Sequence, residues 1–276
     1  MTAGSIQYSN EGLTFEVRDW GPADGRPLIA LHGFPQTASS WRPVATRLAA
    51  AGVRVLAPDQ RGYSPGARPS QVAAYRMDRL AGDVLALADT AGWERFDLVG
   101  HDWGGAVAWY LASRFPDRVR TVSVASTPHP AAFAKALRHG QALRSWYMAV
   151  FQLPWFPETL LGAREGAVAT RVFGSSGAKD AQEMGRLLSD RRTATATINW
   201  YRAIRLTNAP AAGRVRVPSL YVWSTGDSAL GRVAAELTGD YIDADYTFLV
   251  LDGASHWLPD ERPEELAQAI LTHVAR

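Results

Sequence analysis

Two periods of apolar and polar residues alternate along this chain. Leu13-Thr14-Phe15-Glu16-Val17-Arg18 has every second residue apolar, which predicts an early, half-buried antiparallel strand. Pro27 to Leu31 and Val53 to Ala57 are short continuous apolar runs, the pattern of strands buried on both faces. Phe96-Asp97-Leu98-Val99, Thr121 to Ala125, Ser219 to Trp223 and Thr247 to Leu251 predict four more strands. Helical spacing occupies Val44 to Ala51, Leu80 to Ala91 and the stretch from Gly105 to Leu111, and a final helix is predicted from Pro263 to about Val274. No element is predicted before Leu13. Strands and helices in alternation predict an α/β architecture, a mostly parallel sheet with helices on both faces.

The strand signal stops between about Pro128 and Ala212. This stretch is rich in helix formers and carries Phe133, Trp146, Tyr147, Phe151, Trp155, Phe156, Phe173, Trp200 and Tyr201. Loop-like Thr127-Pro128-His129-Pro130 and Asn208-Ala209-Pro210 bracket it. An all-helical insert between two strands predicts a cap over the carboxyl ends of the sheet, where α/β folds bind ligands. The expected organisation is core 1–127, cap 128–212 and core 213–276, with most cap aromatics packing cap against core. A chain of 276 residues, 47% hydrophobic, can bury a core of that size.

Charge and cysteine content narrow the function class. The 29 basic and 27 acidic residues give a formal charge of +2, and the basic side chains are scattered, so no nucleic-acid partner is expected. Arg191-Arg192 and Arg214-Val215-Arg216 are read as solvated surface. Without cysteine there are no disulfides and no thiolate metal sites. Met1 to Asn10 lacks a basic and apolar leader, and no run reaches transmembrane length. A cytoplasmic protein with no membrane partner is expected; the oligomeric state is open.

The chemistry concentrates at Gly100-His101-Asp102-Trp103-Gly104. A strand, a tight turn with glycines two before and two after its central residue, then a helix is the form of a nucleophile elbow. The glycines are needed because the central residue is strained and neighbouring Cβ atoms would strike strand and helix. The central residue here is Asp102 rather than Ser. A carboxylate is ionised at neutral pH and can displace a leaving group from an sp3 carbon. The ester so formed can be hydrolysed with help from an oxyanion hole, whereas a serine would form an ether and stop. An elbow Asp therefore points to hydrolysis of an alkyl electrophile such as an epoxide or alkyl halide; a chance G-x-D-x-G loop is the alternative.

The partners of Asp102 are expected later, in the order acid then His. Of six histidines, His256 lies in the loop after the last predicted strand and is the candidate base. Asp227, in Ser224-Thr225-Gly226-Asp227, follows the strand ending at Trp223 and can orient His256. A simple turn role for Asp227, and Asp252 or Asp243 as the acid, are the competing readings. Leu31-His32-Gly33-Phe34-Pro35 follows the first long strand, so the backbone N–H groups of Phe34 and Trp103 are the candidate oxyanion hole. Asp59-Gln60-Arg61-Gly62-Tyr63 is read as a structural salt bridge and turn.

On these motifs the chain resembles, almost end to end, the α/β-hydrolase-fold epoxide hydrolases, relatives of the haloalkane dehalogenases. The elbow Asp, the H-G-x-P turn and the late acid and His are common to both. The cap separates them. Tyr147-Met148-Ala149-Val150-Phe151-Gln152-Leu153-Pro154, with Glu158 beyond, is similar to the segment carrying the first ring-opening tyrosine of epoxide hydrolases, and Asn199-Trp200-Tyr201-Arg202 to the segment carrying the second. The chain departs from the first pattern at Trp155 and Pro157, where small residues are usual, which bears on the pocket wall. The resemblance implies Tyr147 and Tyr201 as donors to the epoxide oxygen: an alkoxide leaves poorly unless hydrogen-bonded and protonated, and neutral phenols do both. A halide needs only weak donors; Trp103 fits that role, but Phe34 stands where dehalogenases commonly have Asn. Trp103 also argues against haloacetate dehalogenases, which tend to have Arg there. The implied function is conversion of a small apolar epoxide and water to a vicinal diol through an aspartyl ester, with no cofactor or metal. A haloalkane dehalogenase is the alternative, and a non-catalytic ligand receptor the remote one.

Overall fold

Strands with apolar side chains on both faces are stable only between two helical layers, and this constraint organises the molecule. A computed structural model describes residues 4–206 and 212–276, so the Asn208-Ala209-Pro210 bracket lies outside the described residues. The strands are β1 (Gly4–Asn10), β2 (Leu13–Trp20), β3 (Arg26–Leu31), β4 (Val53–Pro58), β5 (Phe96–His101), β6 (Val119–Ala125), β7 (Ser219–Ser224) and β8 (Tyr246–Leu251). They form one sheet in the order β1-β2-β4-β3-β5-β6-β7-β8. β1 and β2 pair antiparallel, as do β2 and β4; from β4 to β8 every pairing is parallel.

Alternate residues of the central strands feed two cores. Ile29, Leu31, Leu98, Val122, Val124 and Tyr221 point to one face, under α2 (Met77–Thr90) and α3 (Trp103–Arg114). Leu28, Ala30, Val99, Leu220 and Val222 point to the other, under α1 (Arg42–Ala50) and the C-terminal helix (Pro263–Val274). After β3 the chain crosses to β4 on one side, then returns to β5 on the other, so the sheet changes winding direction between β3 and β5. Ligand crevices of α/β sheets open at the carboxyl ends of such strands. Leu31 pairs with Gly100 at that end, which brings the loops starting at His32 and Asp102 side by side.

β1 is a strand that the hydrophobic pattern did not predict. It is an edge strand with only Ile6 and Tyr8 turned inward, and its polar surroundings mask the alternation. Glu11 and Gly12, both with positive φ (51° and 76°), turn it into β2, and Tyr8 stacks on Phe15 at 4.8 Å.

Between β6 and β7 the described residues form helices: α4 (Pro130–Ala136), α5 (Gln141–Arg144), α6 (Tyr147–Val150), α7 (Phe156–Gly162), α8 (Ala167–Ser175), α9 (Ala181–Ser189) and α10 (Arg191–Ala203). His129 Nε2 donates to the Gly213 carbonyl at 3.0 Å, pinning together the two places where the chain passes between sheet and helical segment. Trp200 Nε1 donates to the Arg61 carbonyl at 2.8 Å, tying α10 to the core. Phe151, Trp200 and Tyr201 are buried, as expected of cap aromatics, but Trp146, Trp155 and Phe156 are exposed. Beyond β7 come α11 (Arg232–Glu236), α12 (Leu258–Glu261) and α13 (Pro263–Val274). Among the described residues no helix is long and apolar enough to cross a membrane.

The Asp59–Tyr63 turn is structural, as read from the sequence. Arg61 donates to both oxygens of Asp83 (2.8 and 2.7 Å), to the Ala74 carbonyl (2.9 Å) and to Glu11 (3.0 Å). The Arg61 and Asp83 side chains are only 2% and 6% exposed. Asp83→Ala leaves the buried guanidinium with only the part-exposed Glu11 as counter-charge and is expected to lower unfolding free energy by ~3–5 kcal/mol. The exposed pair Arg232–Glu236 gives the contrast: Glu236→Ala is expected to cost under ~1 kcal/mol. Urea titrations of both variants check this, and equal midpoints would remove Arg61 as a structural anchor.

Candidate active site

The turn between β5 and α3 holds Asp102 at φ 51°, ψ −120°, a conformation that L-residues rarely adopt and that costs on the order of 1–3 kcal/mol. Its neighbours show how tightly it is enclosed. A Cβ on Gly100 would lie 2.2 Å from the Gly104 carbonyl oxygen, and one on Gly104 would lie 2.2 Å from that of Leu31. A Cβ on Gly33 would lie 2.3 Å from the Asp102 Cβ. Glycine at these positions lets strand, turn and helix meet with the side chain projecting at the carboxyl end of the sheet. Gly105 and Ala106 donate to the Asp102 carbonyl at 2.9 and 3.2 Å, and Thr127 Oγ1 donates to it at 2.7 Å.

The Asp102 carboxylate lies beside the β3 loop. The Phe34 N–H donates to its Oδ1 at 2.7 Å. Trp103 opens α3, so its N–H has no acceptor within the helix. Oδ2 is 3.6 Å from His256 Nε2. On the other side of the imidazole, Nδ1 is 2.8 Å from Asp227 Oδ2, so Nδ1–H donates there and Nε2 faces Asp102. The remaining Asp227 oxygen accepts the N–H groups of Ala229 and Leu230 at 2.8 and 2.9 Å, which fixes the carboxylate. The structure thus brings Asp102, His256, Asp227 and Phe34 together. The rival acids lie elsewhere: Asp243 pairs with Arg214, and Asp252 accepts from Thr225.

Electrostatics follow from this sandwich. Burial opposes charge on His256, but Asp227 and Asp102 outweigh it and raise its pKa to about 10. Burial likewise opposes charge on Asp102, yet His256, and to a lesser degree the Phe34 N–H, hold its carboxyl below the usual range. The resting site is therefore a carboxylate facing an imidazolium.

The two tyrosines close the site from above. Tyr201, on α10, packs its ring edge-on against Phe34 (5.2 Å between centroids) and Trp103 (5.0 Å). Tyr147 lies 6.1 Å from Tyr201, and Phe151 completes the wall at 4.8 Å from Tyr201. Burial first, then the Asp102 charge among other neighbours, pushes both phenols well above their ordinary pKa, so both remain neutral. Arg202, next to Tyr201, donates to Glu158 (2.7 and 3.1 Å) and to the carbonyls of Phe151 and Leu153. That lattice fixes α10 against the segment bearing Tyr147. Of the two departures noted in the sequence, Pro157 is buried, whereas Trp155 is exposed with φ 52° and forms no wall of the site.

Sequence reasoning missed several supporting groups. Ser126 Oγ (2.8 Å) and His101 Nε2 (2.9 Å) both donate to the His256 carbonyl, and burial lowers the His101 pKa to about 4, leaving it neutral. Ser126 and Thr127 directly follow β6, at a strand terminus adjoining the elbow, which was the available signal. Gln141 and Arg144 grip the acid loop: Arg144 donates to the Asp227 carbonyl at 3.0 Å, while Gln141 donates to the Ala229 carbonyl and accepts from Gly231. Nothing in the spacing of Gln141 and Arg144 foretells that contact. Among the described residues, no group of three His, Asp or Glu side chains is arranged to hold a metal ion.

Comparison with known proteins places this arrangement in a family. The family model for the α/β-hydrolase fold matches residues 26–263. The chain is 34% identical to the AB hydrolase superfamily protein YfhM of Bacillus subtilis (strain 168), over 99% of this chain and 99% of that protein. It is 32% identical to epoxide hydrolase A of Mycobacterium tuberculosis (strain ATCC 25618 / H37Rv), with 94% of each covered. The crystal structure of epoxide hydrolase A from Mycobacterium thermoresistibile superposes with a TM-score of 0.84 at 30% identity, covering 99% of this chain and 98% of that one. With the elbow Asp, the mostly parallel sheet and these relatives together, the chain belongs to the α/β-hydrolase-fold family of the epoxide hydrolases.

Proposed function

We propose that this protein hydrolyses a small apolar epoxide to a vicinal diol through a covalent ester on Asp102, with residues 128–212 acting as a cap that supplies two tyrosines. The observation that carries this reading is a carboxylate in the strained elbow, paired with His256 and covered by two neutral phenols. Oδ1 of Asp102 is held by the Phe34 N–H, so Oδ2 is the attacking atom. As it bonds to an epoxide carbon, the ring C–O bond breaks, and Tyr147 and Tyr201 donate to the departing oxygen. A phenol transfers its proton to the alkoxide and must regain one.

The charge balance indicates where that proton comes from. Esterification neutralises Asp102, removing one of the two carboxylates that keep His256 charged. The imidazolium then gives up its proton, which restores the phenol, and becomes a neutral base. In the second step His256 takes a proton from water, and the oxygen attacks the ester carbonyl carbon. The N–H groups of Phe34 and Trp103 stabilise the oxyanion. As the C–O bond to the diol breaks, the His256 imidazolium protonates the leaving oxygen, and the carboxylic acid left on Asp102 returns a proton to the imidazole, which restores the carboxylate–imidazolium pair. Asp227 orients the ring and balances its charge throughout. The net reaction consumes one epoxide and one water. The phenols distinguish this from dehalogenation, in which the leaving halide takes no proton.

His256→Gln is expected to form the ester without hydrolysing it, so incubation with styrene oxide gives an adduct on the Asp102 peptide with the mass of one intact epoxide. Mass spectrometry that finds no adduct, or an alkyl adduct lacking the oxygen from a haloalkane alone, overturns the proposal.

Tyr147→Phe and Tyr201→Phe are each expected to slow ester formation about tenfold or more, and the double change on the order of 10³–10⁴-fold. Rapid-quench measurement of alkylation, with circular dichroism to verify folding, provides the check. A double variant at wild-type rate removes the tyrosines from the chemistry.

Asp102→Asn mimics the neutral ester, so the His256 pKa is expected to fall from about 10 in this variant. Correspondingly, the ester-hydrolysis rate rises with pH through a lower midpoint than the resting enzyme's imidazolium. Nitrogen-15 NMR titration of the two proteins reads the shift directly; an unchanged His256 pKa rules out the proton route.

A further inference from the structure

The loop that carries Asp227 is not held by regular structure. Between β7 and α11, residues 225–231 belong to neither strand nor helix, so the carbonyls from Asp227 to Leu230 need partners from elsewhere. Trp223 Nε1 supplies one, donating to the Leu230 carbonyl at 3.1 Å. The other three accept from the helical insert. Arg144 Nη1 donates to the carbonyls of Asp227 and Ser228 at 3.0 and 3.2 Å. Gln141 Nε2 donates to that of Ala229 at 2.7 Å, and the Gly231 N–H donates to Gln141 Oε1 at 2.8 Å. Gln141 is only 3% exposed, and Nε2 also donates to Ser145 Oγ at 2.9 Å. Both ends of this buried amide are therefore engaged. The turn it fastens is the one whose Ala229 and Leu230 N–H groups fix the Asp227 carboxylate.

The two halves of the proposed reaction depend on that turn unequally. In the resting site His256 lies between Asp227 at 2.8 Å and Asp102 at 3.6 Å. Ester formation uses Asp102, which is placed by the elbow and the Phe34 N–H. Once esterified, Asp102 carries no charge, and Asp227 is the carboxylate that remains to hold the imidazole. The aim of the base at water is then set by where the 227–230 turn sits. The other ties between insert and core, His129 to Gly213 and Trp200 to Arg61, end on carbonyls outside that turn.

Resting on the reading of an aspartyl ester, we propose that Gln141 and Arg144 are positioning residues for its hydrolysis. From the insert they hold the Asp227 turn, so that His256 keeps its place after Asp102 has lost its charge.

Rapid-quench single turnovers with styrene oxide, read beside steady-state rates, test this. Gln141→Leu and Arg144→Met are each expected to form the ester at close to the wild-type rate and to hydrolyse it about 10- to 100-fold more slowly. The ester then accumulates on the Asp102 peptide, so KM falls together with kcat. A general loosening of the fold would lower kcat without lowering KM. Arg144→Lys keeps a charged donor and is expected to recover most of the hydrolysis rate. Arg144 is exposed, so its variants carry the test even if Gln141→Leu, which strands buried partners, does not fold. A wild-type hydrolysis rate in Arg144→Met, or ester formation slowed as much as hydrolysis in either variant, overturns the inference. An ester trapped in His256→Gln under the same conditions shows that the underlying reading survives that failure. No ester in His256→Gln overturns the underlying reading, and the inference with it.

Discussion

Everything at the site depends on one backbone conformation, the positive φ of Asp102. The sheet brings β3 and β5 together at the point where its winding reverses, and only a turn of this tightness lets a side chain emerge there, between the β3 loop and the head of α3. Gly33, Gly100 and Gly104 each surrender a side chain so that other main-chain or Asp102 atoms can approach to distances that no Cβ tolerates. The strain is held by the surrounding fold: the carbonyl of Asp102 accepts from two helix N–H groups and from Thr127. Its carboxylate is fixed by Phe34. A rigid elbow of this kind has little freedom to reorganise, which is what a nucleophile needs if attack is to proceed from a preset position.

The second constraint is electrostatic. His256 lies between two carboxylates in a buried site, and the one it touches more closely, Asp227, is immobilised by backbone donors from its own loop. In the proposed cycle Asp227 keeps its charge and Asp102 does not, so the basicity of the imidazole there follows the chemical state of Asp102. One histidine can thus serve two successive needs without moving.

Much of this was legible in the sequence where chemistry imposes spacing. The elbow, the H-G-x-P turn and the two late loops sit immediately after apolar runs, and the order of runs predicts which strand ends converge. β1 was not legible, because a half-exposed edge strand has too few buried positions to set a period. The environment of Trp146, Trp155 and Phe156 was not legible either: an aromatic in a helical insert packs inward or faces water according to tertiary neighbours that composition does not encode. The tyrosines came from resemblance rather than pattern, since nothing in the periodicity around 147 or 201 separates a donor from a packing ring. His101 and Ser126, which steady the His256 carbonyl, become visible only once β5, β6 and the His loop are adjacent.

The grip of Gln141 and Arg144 on the 227–231 loop bears on how such a molecule can be altered by exchange of parts. Helical inserts invite treatment as interchangeable modules, joined to the core through two chain crossings, here pinned by His129 and Gly213. Yet the loop that carries Asp227 takes part of its shape from side chains on the insert. A transplanted insert that lacked these two residues would arrive with a different pocket and would also leave the acid loop without its brace. Insert and acid loop form a single structural unit, although β7 lies between them in the chain, and a chimera that respects only the two crossings divides that unit.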